Sequence, residues 1–201
     1  MANVTFPLSM KNSAFAQDAH PLPSAGEGIP GARWLDELRV VMVRHSEASQ
    51  GARAALESAQ IPWPERTGDV QTQAWSLPLV ARIQPEQMLF IGPSGPLAHR
   101  LIADLMPGRV SDAVAIDLSH GMHVIALQGP NLNSWLARMV DTSAIPTRTV
   151  SCARGRLVDM PVLLVRAAED AMLLVADRAF APYLAKWLSF GHEGAFNSDA
   201  L

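Results

Sequence analysis

An α+β fold is what the sequence predicts, with ferredoxin-like strand-helix units whose helices pack on one face of a mostly antiparallel sheet. Two observations point to it. From residue 87 an apolar strand passes through a tight turn straight into a short amphipathic helix, and this pattern occurs three times. Between the copies lie further apolar strands with no helix separating them, which predicts hairpins and therefore antiparallel pairing.

The elements follow in order. Residues 1–32 are rich in Pro and Gly with little periodicity and read as an extended arm. A single α+β domain is expected over residues 33–192, with a possible division into subdomains 33–86 and 87–192, and a flexible tail over 193–201. Leu38, Val40 and Met42 alternate with Arg39, Val41 and Val43 as a strand, and Glu47 to Ala59 form an Ala-rich helix. Ile61-Pro62-Trp63-Pro64 forbids helix, and Pro78 and Pro85 bracket a segment expected to be an edge strand or loop.

The first strand-turn-helix copy is Met88–Ile91, Gly92-Pro93-Ser94-Gly95-Pro96, then a helix with Leu97, Leu101, Ile102 and Leu105 inward and Gly108 beyond its end. The second runs from Val124–Leu127 through Gly129-Pro130 into a helix whose stripe is Leu132, Trp135, Leu136, Met139 and Val140. The third runs from Met172–Val175 through Asp177, a candidate cap, into a helix with Phe180, Tyr183, Leu184, Trp187 and Leu188 inward and Gly191 as its stop. One hairpin is expected over residues 110–127 around Ser119-His120-Gly121, and another over 157–176 around Glu169-Asp170.

Composition narrows the function. The 201 residues carry a net charge of −3 and only 17% charged residues, where roughly 25% is usual. No basic field exists for a phosphate backbone, so nucleic acid is disfavoured as a partner. No apolar run reaches the ~18 residues that a spanning helix needs. Ala14-Phe15-Ala16 has the small-residue pattern of a signal cleavage site, but no basic segment precedes it and Pro7, Ser9, Lys11 and Asn12 interrupt the apolar stretch. A single cysteine, Cys152, excludes an internal disulfide and a Cys-rich zinc site. A cytoplasmic setting is expected. Lysine occurs only at positions 11 and 186, and five tryptophans are present, a bias that suits a subunit packed among partners.

No convincing catalytic, cofactor-binding or metal site emerges. Gly92–Pro96 lacks the P-loop and dinucleotide patterns, and its two prolines remove amide donors a phosphate would need. Asp117, His120 and His123 suggest a metal, yet their spacing around a turn and strand points the side chains apart. Asp117, Ser119 and His120 are too close along an extended chain to converge as a triad. Cys152 sits in the half-buried Val150-Ser151-Cys152-Ala153 with Arg148 and Arg154 beside it, the setting of an inert thiol. Asp36, Glu37, Glu47 and Glu57 read as solvated carboxylates. Trp63 and Trp75, in irregular sequence, are expected by default to pack within a loop, and are better candidates for partner contact than for a cofactor box.

The segment Asp117-Leu118-Ser119-His120-Gly121, followed by Val124–Pro130 and a helix, resembles the gamma subunit of heterotetrameric sarcosine oxidase. Ile145-Pro146-Thr147-Arg148-Thr149, Val162-Leu163-Leu164-Val165-Arg166 and the segment from Asp177 to Leu188 resemble later parts of the same family, so the likeness spans roughly residues 85–190. Met122 departs from the basic residue expected there. That family resembles in turn the folate-binding aminomethyltransferases, so an aminomethyltransferase-like fold is implied.

The resemblance implies a structural subunit in the oxidative demethylation of sarcosine to glycine. Oxygen becomes hydrogen peroxide, and the methyl carbon leaves as formaldehyde or as 5,10-methylenetetrahydrofolate. It implies alpha, beta and delta subunits as partners, with FAD, FMN, NAD and tetrahydrofolate on those chains and no active site on this one. The alternative is a stand-alone small folate-binding or aminomethyltransferase-like protein, which would need an exposed acidic base beside a folate cleft.

Overall fold

Alternation with period two and a stripe with period 3.6 sort this chain into ten strands and four α-helices among its described residues. The computed structural model describes residues 21–26, 30–35, 37–72 and 77–196, the last five of these by backbone alone. The elements are β1 Gly31–Leu35, β2 Leu38–His45, α1 Gln50–Ser58, β3 Val70–Thr72, β4 Leu79–Gln84, β5 Gln87–Pro93, α2 Pro96–Asp104 and β6 Ala113–Asp117. Then come β7 Met122–Gln128, α3 Leu132–Leu136, β8 Ser151–Leu157, β9 Met160–Ala168, β10 Ala171–Asp177 and α4 Ala181–Phe196.

The strands form two five-stranded sheets, ordered β3-β4-β5-β2-β6 and β1-β7-β10-β9-β8. Pairing is antiparallel in both, from β2 with β5 to β10 with β7. The mostly antiparallel α+β class expected from the sequence is therefore the one observed. The chain divides into two compact units. The β5 unit comprises Glu37–His120 with Val150–Cys152, and the β10 unit holds β1, β7, β9, β10, α3, α4 and the rest of β8. Residue 86 is no boundary, because Pro85 and Glu86 form the turn of the β4–β5 hairpin.

In the β10 unit, Trp34, Ile125, Leu127, Val162, Leu164, Met172 and Leu174 form one side of a core. Leu132, Trp135, Leu136, Leu184 and Leu188 from α3 and α4 close it. Each such side chain withdrawn from water stabilises by about 2 kcal/mol. In the β5 unit, Val41, Val43, Met88 and Phe90 meet Ala52, Ala55 and Leu56 of α1 and Ala98 and Leu101 of α2.

Several expectations are corrected. Residues 110–127 form no hairpin: β6 pairs with β2 in one unit, while β7 pairs with β1 and β10 in the other. The reason is burial, since Val124 to Leu127 are all buried and such a strand needs neighbours on both edges. The segment between Pro78 and Pro85 is no edge but β4, with Leu79 to Ile83 buried and β3 and β5 on either side. Pro78 and Pro85 flank the strand, so no ladder donor is lost.

α1 starts at Gln50 instead of Glu47, because Ser49 Oγ accepts the Ala52 amide (3.0 Å) and Asp112 Oδ2 accepts the Gln50 amide (2.8 Å). The stripe Leu132 to Val140 is buried as expected, but α3 ends at Leu136. The chain leaves helical geometry there so that Met139 O can accept the Val158 amide and Val140 can bridge to Leu157.

Asp177 does cap, accepting the Ala179 amide at the start of a 3-10 turn that leads into α4. Gly191 does not stop α4, which continues to Phe196 and into the segment expected as a tail. Its role is close packing: a Cβ there would stand 2.8 Å from Met139 Sδ and Cε and 3.2 Å from Trp135 Nε1. Tyr183, expected inward, is exposed. The hairpin around Glu169-Asp170 is observed as β9 and β10. Residues 1–20 and 27–29 of the arm, Ala14-Phe15-Ala16 among them, lie outside the described residues, as do Asp36, Trp75 and residues 197–201. Among the described residues no helix is long and apolar enough to cross a membrane.

Val158, in the β8–β9 turn, has φ 54 although it is β-branched and partly exposed. Left-handed backbone costs such a residue about 1–2 kcal/mol, a cost that Asn largely escapes. Val158→Asn is expected to raise the thermal midpoint by about 2–4 °C, measured by circular dichroism; an unchanged or lower midpoint would contradict the strain.

Candidate functional site

The polar residues of the Asp117–Gly121 turn satisfy one another. Asp117, at the end of β6, accepts from Arg39 Nη1 of β2 at 2.8 Å, and its other oxygen accepts both the amide and the hydroxyl of Ser119. Ser119 Oγ in turn accepts the Val40 amide at 3.0 Å, and Arg39 Nε donates to Ser94 Oγ at 3.2 Å. Partial burial opposes ionisation of Asp117, but the Ser119 donors and the Arg39 guanidinium outweigh it and hold the carboxyl below its ordinary range. The Ser119 hydroxyl donates to Asp117, whose carboxyl is held below its ordinary range and is therefore a weak base for activating it, and His120 is exposed at the tip. The group is a staple for the turn.

His123 takes no part in it. On β7 it shares a side with Ile125 and Leu127, is buried, and packs its ring 4.8 Å from that of Trp34. Among the described residues no three or more His, Cys, Asp or Glu side chains gather as a metal site. Met122 is half-buried at the start of β7, in register with Asp177. Glu37, Glu47 and Glu57 are exposed and spread over a turn, a loop and α1. Glu37 has φ 65 and uses its carbonyl to accept the Ser94 amide.

Cys152 is buried in the β5 unit, with its thiol 3.7 Å from Arg82 O. Burial, reinforced by the Asp69 carboxylate, pushes the thiol up to about 12. A group so protonated at neutral pH is no nucleophile.

The residue that the sequence concealed is Arg82. It interrupts the apolar run of β4, is buried, and spreads its guanidinium over the carbonyls of Pro64, Glu65 and Pro85. Trp63 lies against it, with the guanidinium carbons of Arg53 and Arg82 at 4.4 and 5.8 Å from its ring and the His45 ring at 5.1 Å. Trp63 is thus a half-buried part of a loop anchor, the packed-loop role expected of it by default. Arg166 acts likewise in the β10 unit, donating to Pro146 O, Ala168 O, Glu169 O and Asn133 Oδ1. An arginine set within or at the end of an otherwise apolar strand is the signal that could have revealed both.

In Gly92–Pro96 the Ser94 amide is committed to Glu37, Gly92 lies in the β2–β5 ladder, and Pro93 and Pro96 carry no amide hydrogen. A dinucleotide phosphate finds no cradle there. A cleft of about 320 Å³ in the β10 unit is lined by residues that include Leu22, Ser24, Arg33, Trp34 and Gln128. Among the described residues its lining offers one cation, Arg33, and neutral polar groups.

No protein-family model matches the sequence, and no curated protein matches it significantly. Among solved structures, a chain of the heterotetrameric sarcosine oxidase from Corynebacterium sp. U-96, in complex with pyrrole 2-carboxylate, aligns with a TM-score of 0.75 at 21% identity. The alignment covers 90% of this chain and 91% of that one. The two share a fold. The regulatory subunit of aspartate kinase from Thermus thermophilus aligns at a TM-score of 0.45 and 10% identity, over 80% of this chain and 97% of that one, too slight a likeness to bear on function.

Two measurements test these assignments. The folded Cys152 thiol keeps its proton to about pH 12 while the unfolded thiol loses it from near 9.0, so the unfolded state binds fewer protons in that window. Stability should therefore fall as pH rises above 9, by up to about 1.4 kcal/mol per unit, and urea melts of Cys152→Ala should lack that component. Arg82→Met should cost about 3 kcal/mol in the same melts and alter Trp63 fluorescence, whereas a change under about 0.5 kcal/mol would mean that the loop holds without it.

Proposed function

We propose that this chain is the gamma subunit of a heterotetrameric sarcosine oxidase, a noncatalytic structural subunit assembled with alpha, beta and delta chains. The observation that carries the proposal is the end-to-end likeness to one chain of such a complex, 90% of this chain on 91% of that one. The Asp117–Gly121 motif and the later matching segments point the same way from sequence.

The chemistry of the site agrees with this role. Asp117, Ser119, Cys152 and Arg82 are each committed to internal partners or buried, which leaves them holding loops in place and not turning over a substrate. Oxidation of the sarcosine N-methyl group, with two electrons passing to oxygen to give hydrogen peroxide, belongs in this reading to flavins on the other subunits. Tetrahydrofolate, where available, takes up the one-carbon unit there as well.

The test is co-expression of this chain, tagged, with the three other chains, followed by purification on the tag. A yellow complex of four chains that makes peroxide only when sarcosine is added supports the proposal. A colourless monomer that binds tetrahydrofolate overturns it in favour of a small folate-binding protein.

A further inference from the structure

The cleft of about 320 Å³ in the β10 unit is built on small residues of β1 and β7. On β1, Trp34 turns into the core with Ile125 opposite it on β7, so Arg33, opposite Ala126, stands on the other face of the sheet. The segment from Leu22 to Ala25 supplies a further part of the lining. Two contacts hold that segment against β1. Pro23 O accepts the Ala32 amide at 2.8 Å, and the Ala25 backbone comes so near Gly31 that a Cβ there would stand 2.3 Å from the Ala25 nitrogen. The walls are thus fixed by the chain itself, as in a site formed before its ligand arrives.

Its chemistry suits a carboxylate. Arg33 is half-buried and, among the described residues, its guanidinium enters no hydrogen bond or ion pair. A carboxylate matches such a planar fork with two parallel hydrogen bonds. Leu22, Ala25, Ala32 and Ala126 give an apolar surround, and the Gln128 carboxamide adds a neutral polar group. One cation neutralises one unit of charge, so a monoanion leaves the pair neutral, whereas a phosphate dianion would leave excess charge beside apolar side chains. The volume lies at the lower end of the ~300–1,000 Å³ typical of small-molecule sites. We propose that this cleft binds a small monocarboxylate, its carboxylate on Arg33 and its apolar body against Ala25 and Ala126. Such a site adds to the structural role proposed above and does not depend on it.

The test titrates the full chain with benzoate, its neutral counterpart benzamide and inorganic phosphate, followed by NMR of the isotope-labelled protein. Benzoate should bind about tenfold or more tightly than either of the others, with its ring protons showing contacts to the Ala25 and Ala126 methyl groups. Arg33→Met should weaken benzoate by about tenfold or more with circular dichroism unchanged, and Arg33→Lys, which keeps the charge and loses the fork, should fall between. No binding of benzoate, benzamide or phosphate bound as well as benzoate, ring contacts elsewhere, or an Arg33→Met chain that binds like the unaltered one overturns the proposal. Glu27→Gln and Asp36→Asn, each removing a carboxylate outside the described residues, should leave benzoate binding unchanged. A gain in affinity in either would mean that the chain's own carboxylate already holds Arg33, and overturns it too. Repeating the titration on the assembled complex separates a free carboxylate from one on a partner: binding that persists supports the proposal, and binding lost on assembly assigns Arg33 to a subunit contact and overturns it. If the chain joins no complex, the subunit reading fails while binding to the chain alone still decides the cleft.

Discussion

Burial of β10 on both faces is the constraint from which the rest of its unit follows. Every side chain from Ala171 to Ala176 is at most 1% exposed, so neither face can turn to water and neither edge can be left open. Backbone amides and carbonyls in such a strand have no solvent to bond, and each left unpaired would cost on the order of 1–3 kcal/mol. β7 and β9 supply those bonds along its length. β7, itself almost wholly buried, then needs a further neighbour, which is β1. The same requirement explains why β7 abandons β6, its nearest strand in sequence.

Buried arginines solve the complementary problem for irregular chain. A loop such as Ile61 to Asp69, punctuated by Pro62 and Pro64, has carbonyls that no sheet or helix can bond. Arg82 reaches three carbonyls with one planar group, and Arg166 does the same for Pro146, Ala168 and Glu169. Such a charge is tolerable in the interior because its donors are met by carbonyl dipoles. The terminal nitrogens of Arg82 and the guanidinium of Arg166 are consequently occupied, while among the described residues Arg82 Nε is buried without a partner.

Local pattern was legible wherever burial followed a simple period. The stripe from Leu132 to Val140 named its buried residues correctly even though the helix is half as long as the stripe, because burial depends on direction and not on hydrogen-bond type. The α+β class and the β9–β10 hairpin were legible for the same reason. What misled were features whose meaning depends on distant chain. Pro78 and Pro85 look like strand breakers until β3 and β5 are seen on either side of β4. Gly191 looks like a helix stop until Met139 and Trp135 fill the space that a Cβ would take. The polar residues of the Asp117 turn were legible as a motif, but their mutual saturation was not, since Arg39 lies 78 positions away.

The interleaving of the two units along the chain bears on how the protein is born. Glu37–His120 is one continuous stretch that leaves the ribosome before β7 to β10 and carries all of β2 to β6. β1, made before it, must wait for β7, and β7 for β10, so the second sheet cannot be completed until β10 has been made. Long-range pairing of this kind closes slowly. Through that interval Trp34 and its neighbours on β1 travel as an unpaired apolar strand, the kind of segment that chaperones hold and that aggregates when they do not. The order of assembly thus sets the period of greatest vulnerability between the synthesis of β1 and that of β10.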